Sequence, residues 1–358
     1  MKQVIKILLL SVLMTNGSTL LASTFGSTAN NQTRFATGIQ NFASGATNYL
    51  GYASTDAGFT LPNATSTVTY NAVGDLNGPM SLNGGTLILA NDFIMQNQAT
   101  FATNGIFTGN GRITGNNFSV MLPNRAFTLA NAFAITSATV VANSYFTVNT
   151  TLRFLSTGNV LNGNGNFIDL TNGTLSVGAG GSLLIKNAMI RGIDAGTIFC
   201  EDSLATLSLQ NVTWIQDAIY TFSQGILDVL NDVEMTGSSI FAYSSSGLLN
   251  IRSNSTLSFD IGMTFSYAAA NNSRLTFADA TSAISFDQAT LFTNNNGLSL
   301  KKGIAMFNGF CPIFNLGATS AAGILVGDNA SAANNFVIQV GAEAGLNVQS
   351  GFFVYQNI

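Results

Sequence analysis

The sequence predicts an all-β solenoid in which short parallel strands stack along one axis. Two observations support this prediction. A short phrase returns every twenty-odd residues, and within it apolar residues alternate with other residues. The phrase has the form Leu-x-Leu-x-Asn, with Ile or Val in the second apolar place of some copies. A fixed period of this length is typical of repeat architectures, in which each unit buries its apolar face only against its neighbours.

Three copies of the phrase are close to ideal, and three weaker copies follow them. Their first apolar residues are Leu183, Leu207, Leu227, Leu249, Leu275 and Leu298, and successive residue numbers differ by 24, 20, 22, 26 and 23. Alternate apolar positions place both side chains on one face of a strand, whereas an amphipathic helix needs spacings of three and four. Runs of Gly, Ser, Thr and Asn between the copies predict bends.

An Asn closes each of the three best copies, at Asn187, Asn211 and Asn231. Asn tolerates the left-handed backbone conformation that a tight bend between strands requires. Stacked Asn side chains can also hydrogen-bond to one another along the axis as a ladder. We therefore predict a turn at each of these positions, with or without such a ladder.

The period continues upstream in a looser form, at Leu87, Phe107, Phe127 and Phe146. About twelve coils are expected at the strand spacing of a parallel sheet. The predicted segments are a signal peptide (1–23), a leader or cap over the first coil (24–78), the solenoid (79–302), and the final coils with a C-terminal cap (303–358). A disordered or helical leader fits residues 24–78 nearly as well.

The N-terminus has the pattern of a secretory signal peptide. Lys2 and Lys6 flank the start of an apolar run that ends near Met14, and small residues predict cleavage after Ala22 or Ser23. The run is shorter than the ~20 apolar residues that a spanning helix needs. We therefore expect a secreted, extracellular or bacterial outer-surface protein with no transmembrane segment after signal removal.

Composition excludes several functional classes. Only 8% of the residues are charged, against about 25% in an average soluble domain, so Asn, Thr, Ser and Gln must form the solvated surface. The net charge is −4, and no basic run offers a nucleic-acid footprint. The chain contains no His, which excludes Ser-His-Asp and Cys-His catalysis and the usual zinc sites. The sequence predicts no cofactor and no metal.

The two cysteines, Cys200 and Cys311, are 111 residues apart. This separation corresponds to about five coils, or roughly 24 Å along the axis. A disulfide requires Cα atoms within about 7 Å of each other. We therefore predict two buried free thiols.

The repeat pattern resembles that of the right-handed parallel β-helix superfamily, the pectin-lyase-like fold of pectate lyases, phage tailspikes and autotransporter passenger domains. The resemblance covers about three-quarters of the chain and implies a right-handed coil with terminal caps. It also implies carbohydrate chemistry as the usual activity of such enzymes. Hydrolysis of a glycosidic bond uses two carboxylates about 5–9 Å apart.

Asp228 and Asp232 are the weak candidates for such carboxylates. Asp228 lies between two core positions of the third phrase and should point outward, while the bend at Asn231 separates it from Asp232. The places equivalent to Asp228 hold no second acid; they are Leu184, Ser208, Asn250, Thr276 and Ser299. The polygalacturonase motifs are also missing, so the sequence predicts no catalytic site.

The favoured interpretation is a structural or adhesive β-helix that binds a ligand over an extended face without catalysis. A polysaccharide or a host or cell-surface molecule is the expected partner, and the sequence does not predict the oligomeric state. The main alternative is a carbohydrate-active enzyme, either a polysaccharide lyase or a hydrolase, or its inactive carbohydrate-binding relative. An outer-membrane barrel and an ice-binding protein are further alternatives, which the long period and the lack of persistent Thr columns disfavour.

Overall fold

The structure is a computed structural model, and it shows an all-β parallel solenoid of about ten turns. The predicted fold class is confirmed, and the number of turns is close to the twelve expected. The structure describes residues 40–41, 47–50, 59–61, 63–65, 67–70, 80–90, 92–94, 107–108, 111–122, 127–129 and 132–357. The predicted signal peptide lies outside these residues. The chain divides into two compact units, 1–140 and 141–358.

The described strands of the first unit are short and pair in parallel. They are β1 (Gln40–Asn41), β2 (Thr47–Leu50), β3 (Phe59–Thr60), β4 (Thr67–Tyr70), β5 (Met80–Ser81), β6 (Thr86–Leu89), β7 (Phe93–Ile94), β8 (Phe107–Thr108), β9 (Gly111–Thr114), β10 (Ser119–Met121), β11 (Phe127–Leu129) and β12 (Phe133–Thr136), with β13 (Thr139–Val141) at the boundary. One sheet has the order β1-β3-β5-β8, and a second contains β2-β4-β6-β9-β12.

The second unit holds the regular repeats. Its strands are β14 (Phe146–Val148), β15 (Thr151–Leu155), β16 (Asn159–Asn162), β17 (Phe167–Asp169), β18 (Thr174–Val177), β19 (Ser182–Ile193), β20 (Ile198–Cys200), β21 (Thr206–Gln216), β22 (Tyr220–Phe222), β23 (Ile226–Gly237), β24 (Ile240–Tyr243), β25 (Leu249–Ile251), β26 (Thr256–Phe259), β27 (Thr264–Tyr267), β28 (Leu275–Phe277), β29 (Ala283–Asp287), β30 (Thr290–Thr293), β31 (Leu298–Leu300), β32 (Ile304–Asn308), β33 (Phe310–Asn315), β34 (Ile324–Gly327), β35 (Val337–Val340), β36 (Gly345–Ser350) and β37 (Phe353–Gln356). Short 3₁₀ helices occupy Ser320–Ala322 and Ala332–Asn334.

The Leu-x-Leu-x-Asn phrases lie in register on neighbouring strands. Leu183 pairs with Leu207, which pairs with Leu227, and the column continues through Leu249 to Leu275. Each of these five side chains is at most 3% exposed. Every turn therefore adds one more leucine to a continuous buried column, as the period predicts.

Aromatic side chains form further columns inside the second unit. Phe259, Phe286 and Phe307 stack with ring centroids 5.6 Å and 5.2 Å apart. Tyr243 lies between Phe222 and Tyr267 at 5.8 Å and 6.2 Å. Parallel strands hold equivalent residues about 4.8 Å apart, so offset stacking of identical rings follows from the register. Such contacts add to the burial of apolar area.

The three Asn residues that close the phrases lie at corners, and two of them also form side-chain hydrogen bonds along the axis. Asn187, Asn211 and Asn231 have φ values of 49°, 52° and 56°, so the long strands β19, β21 and β23 turn a corner at each Asn. The side-chain amide of Asn211 donates to Asn187 Oδ1 over 3.0 Å, and that of Asn187 donates to Asn162 Oδ1 over 3.5 Å. The turn prediction is confirmed at all three positions, and the ladder that the sequence left open is present between Asn162, Asn187 and Asn211.

Strands lie on both sides of the predicted segment boundaries. Within 24–78, β3 pairs in parallel with β5, which lies beyond residue 79. At the other boundary, β29 pairs with β32, which follows Gly303. The division into leader, solenoid and cap stays a prediction, as does the right-handed sense of the coil.

Both cysteines are free and buried, as predicted. Burial is the main cause that raises the pKa of the Cys200 thiol to about 12 and raises the pKa of Cys311 as well. Neither thiol therefore has the thiolate character that makes a cysteine reactive.

Replacement of Asn211 tests the corner. Asn211→Ala removes the ladder hydrogen bond and places in the left-handed conformation a residue that tolerates it less well than Asn, whose polar side chain can hydrogen-bond locally. We therefore expect a loss of about 2 kcal/mol. Asn211→Gly removes the same hydrogen bond without the backbone strain, and we expect a loss of about 1 kcal/mol. The free energy of unfolding in urea measures both. Equal losses for the two variants would contradict the assigned backbone role.

Candidate functional site

The outer face of the sheet that carries the phrases presents a column of polar residues. Ser208, Asp228, Asn250 and Thr276 occupy one register position on four successive turns, after Leu184. These are the neighbours that the sequence period assigned to Asp228, and none of them is a carboxylate. Asp228 is only 8% exposed, although it lies on the outer face, because neighbouring side chains cover it.

Asp228 is held by hydrogen bonds from two neighbours. Arg252 Nη2 donates to Asp228 Oδ2 over 2.6 Å, and Asn250 Nδ2 donates to Oδ1 over 2.7 Å. Thr276 Oγ1 donates in turn to Asn250 Oδ1 over 2.6 Å. Both carboxylate oxygens accept a hydrogen bond and the charge is neutralised, so this acid is poorly placed to act as a general base.

Asp232 lies beyond the corner at Asn231 and is exposed. Its register partner on the next turn is Thr256. The two candidate acids of the sequence are therefore on different sides of a bend, as expected, and neither has a carboxylate at the same register position on the following turn.

A groove of about 190 Å³ adjoins the outer polar column, and Thr276 belongs to both. The lining residues are Ser273, Leu275, Thr276, Phe277, Ser299, Lys301 and Lys302. Lys301 lies 3.4 Å from Asp328. Lys302 is exposed, has a φ of 69°, and has no ion-pair partner among the described residues. The groove therefore combines hydroxyl groups, an apolar surface and one cation that is free to pair with a ligand.

Asp169, Tyr145 and Arg191 form a second polar cluster, in which three successive turns each contribute one side chain. Tyr145 and Arg191 both donate to Asp169 Oδ2, and the Arg191 guanidinium lies 5.1 Å from the Tyr145 ring centroid. Burial acts to raise the pKa of Asp169, but hydrogen bonds from Thr171, Tyr145 and Arg191 outweigh it and hold that pKa well below its usual range. Its side chain is 10% exposed.

Arg153 and Glu201 form a third bridge between turns. Arg153 Nε donates to Glu201 Oε1 over 2.5 Å, and Ser176, on the turn between them, donates to the same oxygen. The hydrogen bond from Arg153 is the main cause that lowers the pKa of Glu201. These clusters tie successive turns together, and nothing in their geometry requires a ligand.

Asp260 and Asp287 are the acids that the sequence argument missed. Phe259 pairs with Phe286, so the residues that follow them lie side by side on adjacent turns. Burial, and then the charge of Asp287, raise the pKa of Asp260. The signal was present in the sequence as a repeated tripeptide, Ser-Phe-Asp, at 258–260 and 285–287. These two acids each follow one member of a register pair on adjacent turns, whereas Asp228 and Asp232 lie on opposite sides of the Asn231 corner.

The described part of the chain contains neither a cluster of metal-ligating residues nor a membrane-spanning helix. There, no group of three or more Cys, Asp or Glu residues is arranged to hold a metal ion. No helix within the same residues has the length and apolar character to cross a bilayer.

Comparison with protein-family models, with curated proteins and with solved structures gives no match for this chain. The coordinates therefore establish the parallel solenoid, while membership of a particular superfamily is a matter for proposal.

Asp169→Asn tests the second cluster. The pKa of Asp169 is lowered by folding, so its charge contributes stability above its unfolded pKa of about 3.9, and this contribution is lost as the pH falls. We expect the variant to lose about 2 kcal/mol at neutral pH, because charged hydrogen bonds are removed. The difference from the wild type should shrink in acid, as measured by urea unfolding at several pH values.

The matched control for this variant is Asp217→Asn. Asp217 is exposed and makes no hydrogen bond among the described residues, so we expect a change within about 0.5 kcal/mol at neutral pH. If Asp169→Asn lowered the free energy of unfolding by the same amount at every pH, the electrostatic account would be contradicted and only a packing effect would remain.

Proposed function

We propose that this protein is a secreted or surface-displayed bacterial β-solenoid with a structural or adhesive role, which binds an extended polysaccharide along its outer face without catalysis. The resemblance to pectin-lyase-like and autotransporter-passenger repeats forms part of this proposal. The observation that carries it is the outer polar column of Asp228, Asn250 and Thr276, which leads into the groove beside Lys301 and Lys302.

The polar column suits binding better than chemistry. Its members hydrogen-bond to one another, and Asp228 is neutralised by Arg252 at 2.6 Å. A row of fixed donors and acceptors, repeated at the strand spacing, can contact successive units of a polymer. Because the side chains are already held in place, little conformational entropy is lost when the ligand binds.

The groove supports a ligand that carries both hydroxyl and anionic groups. Thr276 and Ser299 line the groove with hydroxyl groups, and the largely buried Leu275 and Phe277 lie beneath them. Lys302 adds an exposed cation that has no ion-pair partner among the described residues. A ligand carboxylate beside Lys302 would form a charge-assisted hydrogen bond, which is stronger than a neutral one. An acidic polysaccharide therefore fits this groove better than a neutral one.

A second candidate function is carbohydrate cleavage at Asp260 and Asp287. The raised pKa of Asp260 beside a second acid on the adjacent turn favours it, because a carboxyl group with a raised pKa keeps its proton to a higher pH than usual, as a general acid must. Release of reducing ends or unsaturated products from polygalacturonate or alginate, abolished by Asp260→Asn or Asp287→Asn, would select this candidate over binding alone.

Calorimetry with polygalacturonate and alginate, against a neutral glucan, tests the binding proposal. We expect the acidic polymers to bind, and Lys302→Asn to weaken their binding about tenfold through loss of one charged contact. Asn keeps the left-handed conformation of this residue accessible, so the variant should fold normally.

Lys186→Gln is the matched control, since it removes one cation on β19, several turns away from the groove, and should leave affinity unchanged. No binding of any of the three polymers would overturn the proposal. An equal loss for Lys186→Gln and Lys302→Asn would show that the groove is not the site.

A further inference from the structure

The last described turn exposes side chains that belong to the interior columns. On β36, Leu346 and Val348 are in register with Cys311 and Ile313. The two residues of the preceding turn are 1% and 0% exposed, whereas Leu346 and Val348 are 39% and 40% exposed. These leucine and valine side chains point the same way as core residues but have no further turn over them among the described residues.

The other two strands of this turn show the same change. Val340 on β35 pairs with Phe307 on the preceding turn. Val340 is 44% exposed, whereas Phe307 is 1% exposed. Tyr355 on β37 pairs with Val326 on the preceding turn. Tyr355 is 66% exposed, whereas Val326 is 0% exposed. Apolar columns of all three sheets therefore end at one surface, which we call the terminal face and define by β35, β36 and β37.

The backbone edges of the terminal face are open as well. β35, β36 and β37 each lie at the end of their sheet, and none has a second strand partner within the described residues. Natural proteins commonly protect such edges with Lys, Pro or other charged side chains. Residues 337–356 contain one charged residue, Glu343, and no Pro. The terminal face therefore lacks the usual protection against pairing.

We propose that the terminal face is an interface with a second copy of this chain. An occupant must offer three strand edges in the same arrangement, together with apolar side chains, and a second terminal face has both. Approach of two such faces meets little charge repulsion, because Glu343 is the one charged residue in each.

The geometry of a coil fixes how the two copies would pair. A viewer who looks at the terminal face of either copy sees its chain wind in the same sense. When two terminal faces meet they are viewed from opposite sides, so along one common direction the two chains wind in opposite senses. Their edge strands are then antiparallel, and a two-fold axis relates the copies. Such a dimer cannot add further copies through this surface, because each copy has one terminal face and the dimer interface covers it. This inference is independent of the polysaccharide proposal.

Light scattering coupled to size exclusion tests the inference on the full chain. We expect the mass of two chains at micromolar concentration. The double variant Leu346→Lys/Val348→Lys should have the mass of one chain, because it places charges on both faces of the interface. Tyr355→Lys, on a different sheet, should weaken the pair in the same direction. All three positions are already exposed, so circular dichroism and melting temperature should confirm a folded protein.

The control is Ile219→Lys/Ile261→Lys, which changes two apolar residues that are 58% and 63% exposed outside the terminal face. It should keep the mass of two chains. Hydrogen exchange gives a second readout, since the amides of β36 should lose protection in the Leu346→Lys/Val348→Lys variant and keep it in the control. A wild type with the mass of one chain would overturn the inference. An unchanged mass in both terminal-face variants, or open-ended growth into fibres, would also overturn it.

Discussion

The in-register pairing of parallel strands is the constraint on which the second unit of this protein depends. Each turn is too short to bury its apolar residues alone, so stability comes from stacking on the turn before and the turn after. The column from Leu183 to Leu275 and the stack of Phe259, Phe286 and Phe307 exist only because the strands do not slip. A shift by one residue would turn each of these side chains outward.

The polar exterior follows the same constraint. Although only 8% of the residues are charged, ion pairs join different turns among the described residues. Arg191 with Asp169 and Arg252 with Asp228 join adjacent turns, and Arg153 with Glu201 reaches across the turn between them. Hydrogen bonds between Asn side chains at the corners also join adjacent turns. Charge on this surface therefore stabilises the stacking first. Lys302 is of interest because it lines the groove and has no ion-pair partner among the described residues.

The sequence predicted the features that repeat and missed those that depend on variable loops. The leucine column, the left-handed Asn residues and the lack of an acid beside Asp228 all follow from a constant period. The groove depends on the packing of Lys301 near Asp328, and no period specifies that contact. Asp260 and Asp287 were missed because 27 residues separate them, more than any spacing within the phrases, although the repeated Ser-Phe-Asp tripeptide marks their register.

Disulfide trapping measures the register most directly. Cys residues placed at Lys186 and Gln210, which pair across β19 and β21, should oxidise readily, because parallel neighbours lie within the ~4.4–6.8 Å that a disulfide spans between Cα atoms. The offset pair of Lys186 and Ser208 should stay reduced. Efficient cross-linking of the offset pair, or of neither pair, would contradict the parallel stacking on which this account of the fold and its outer face depends.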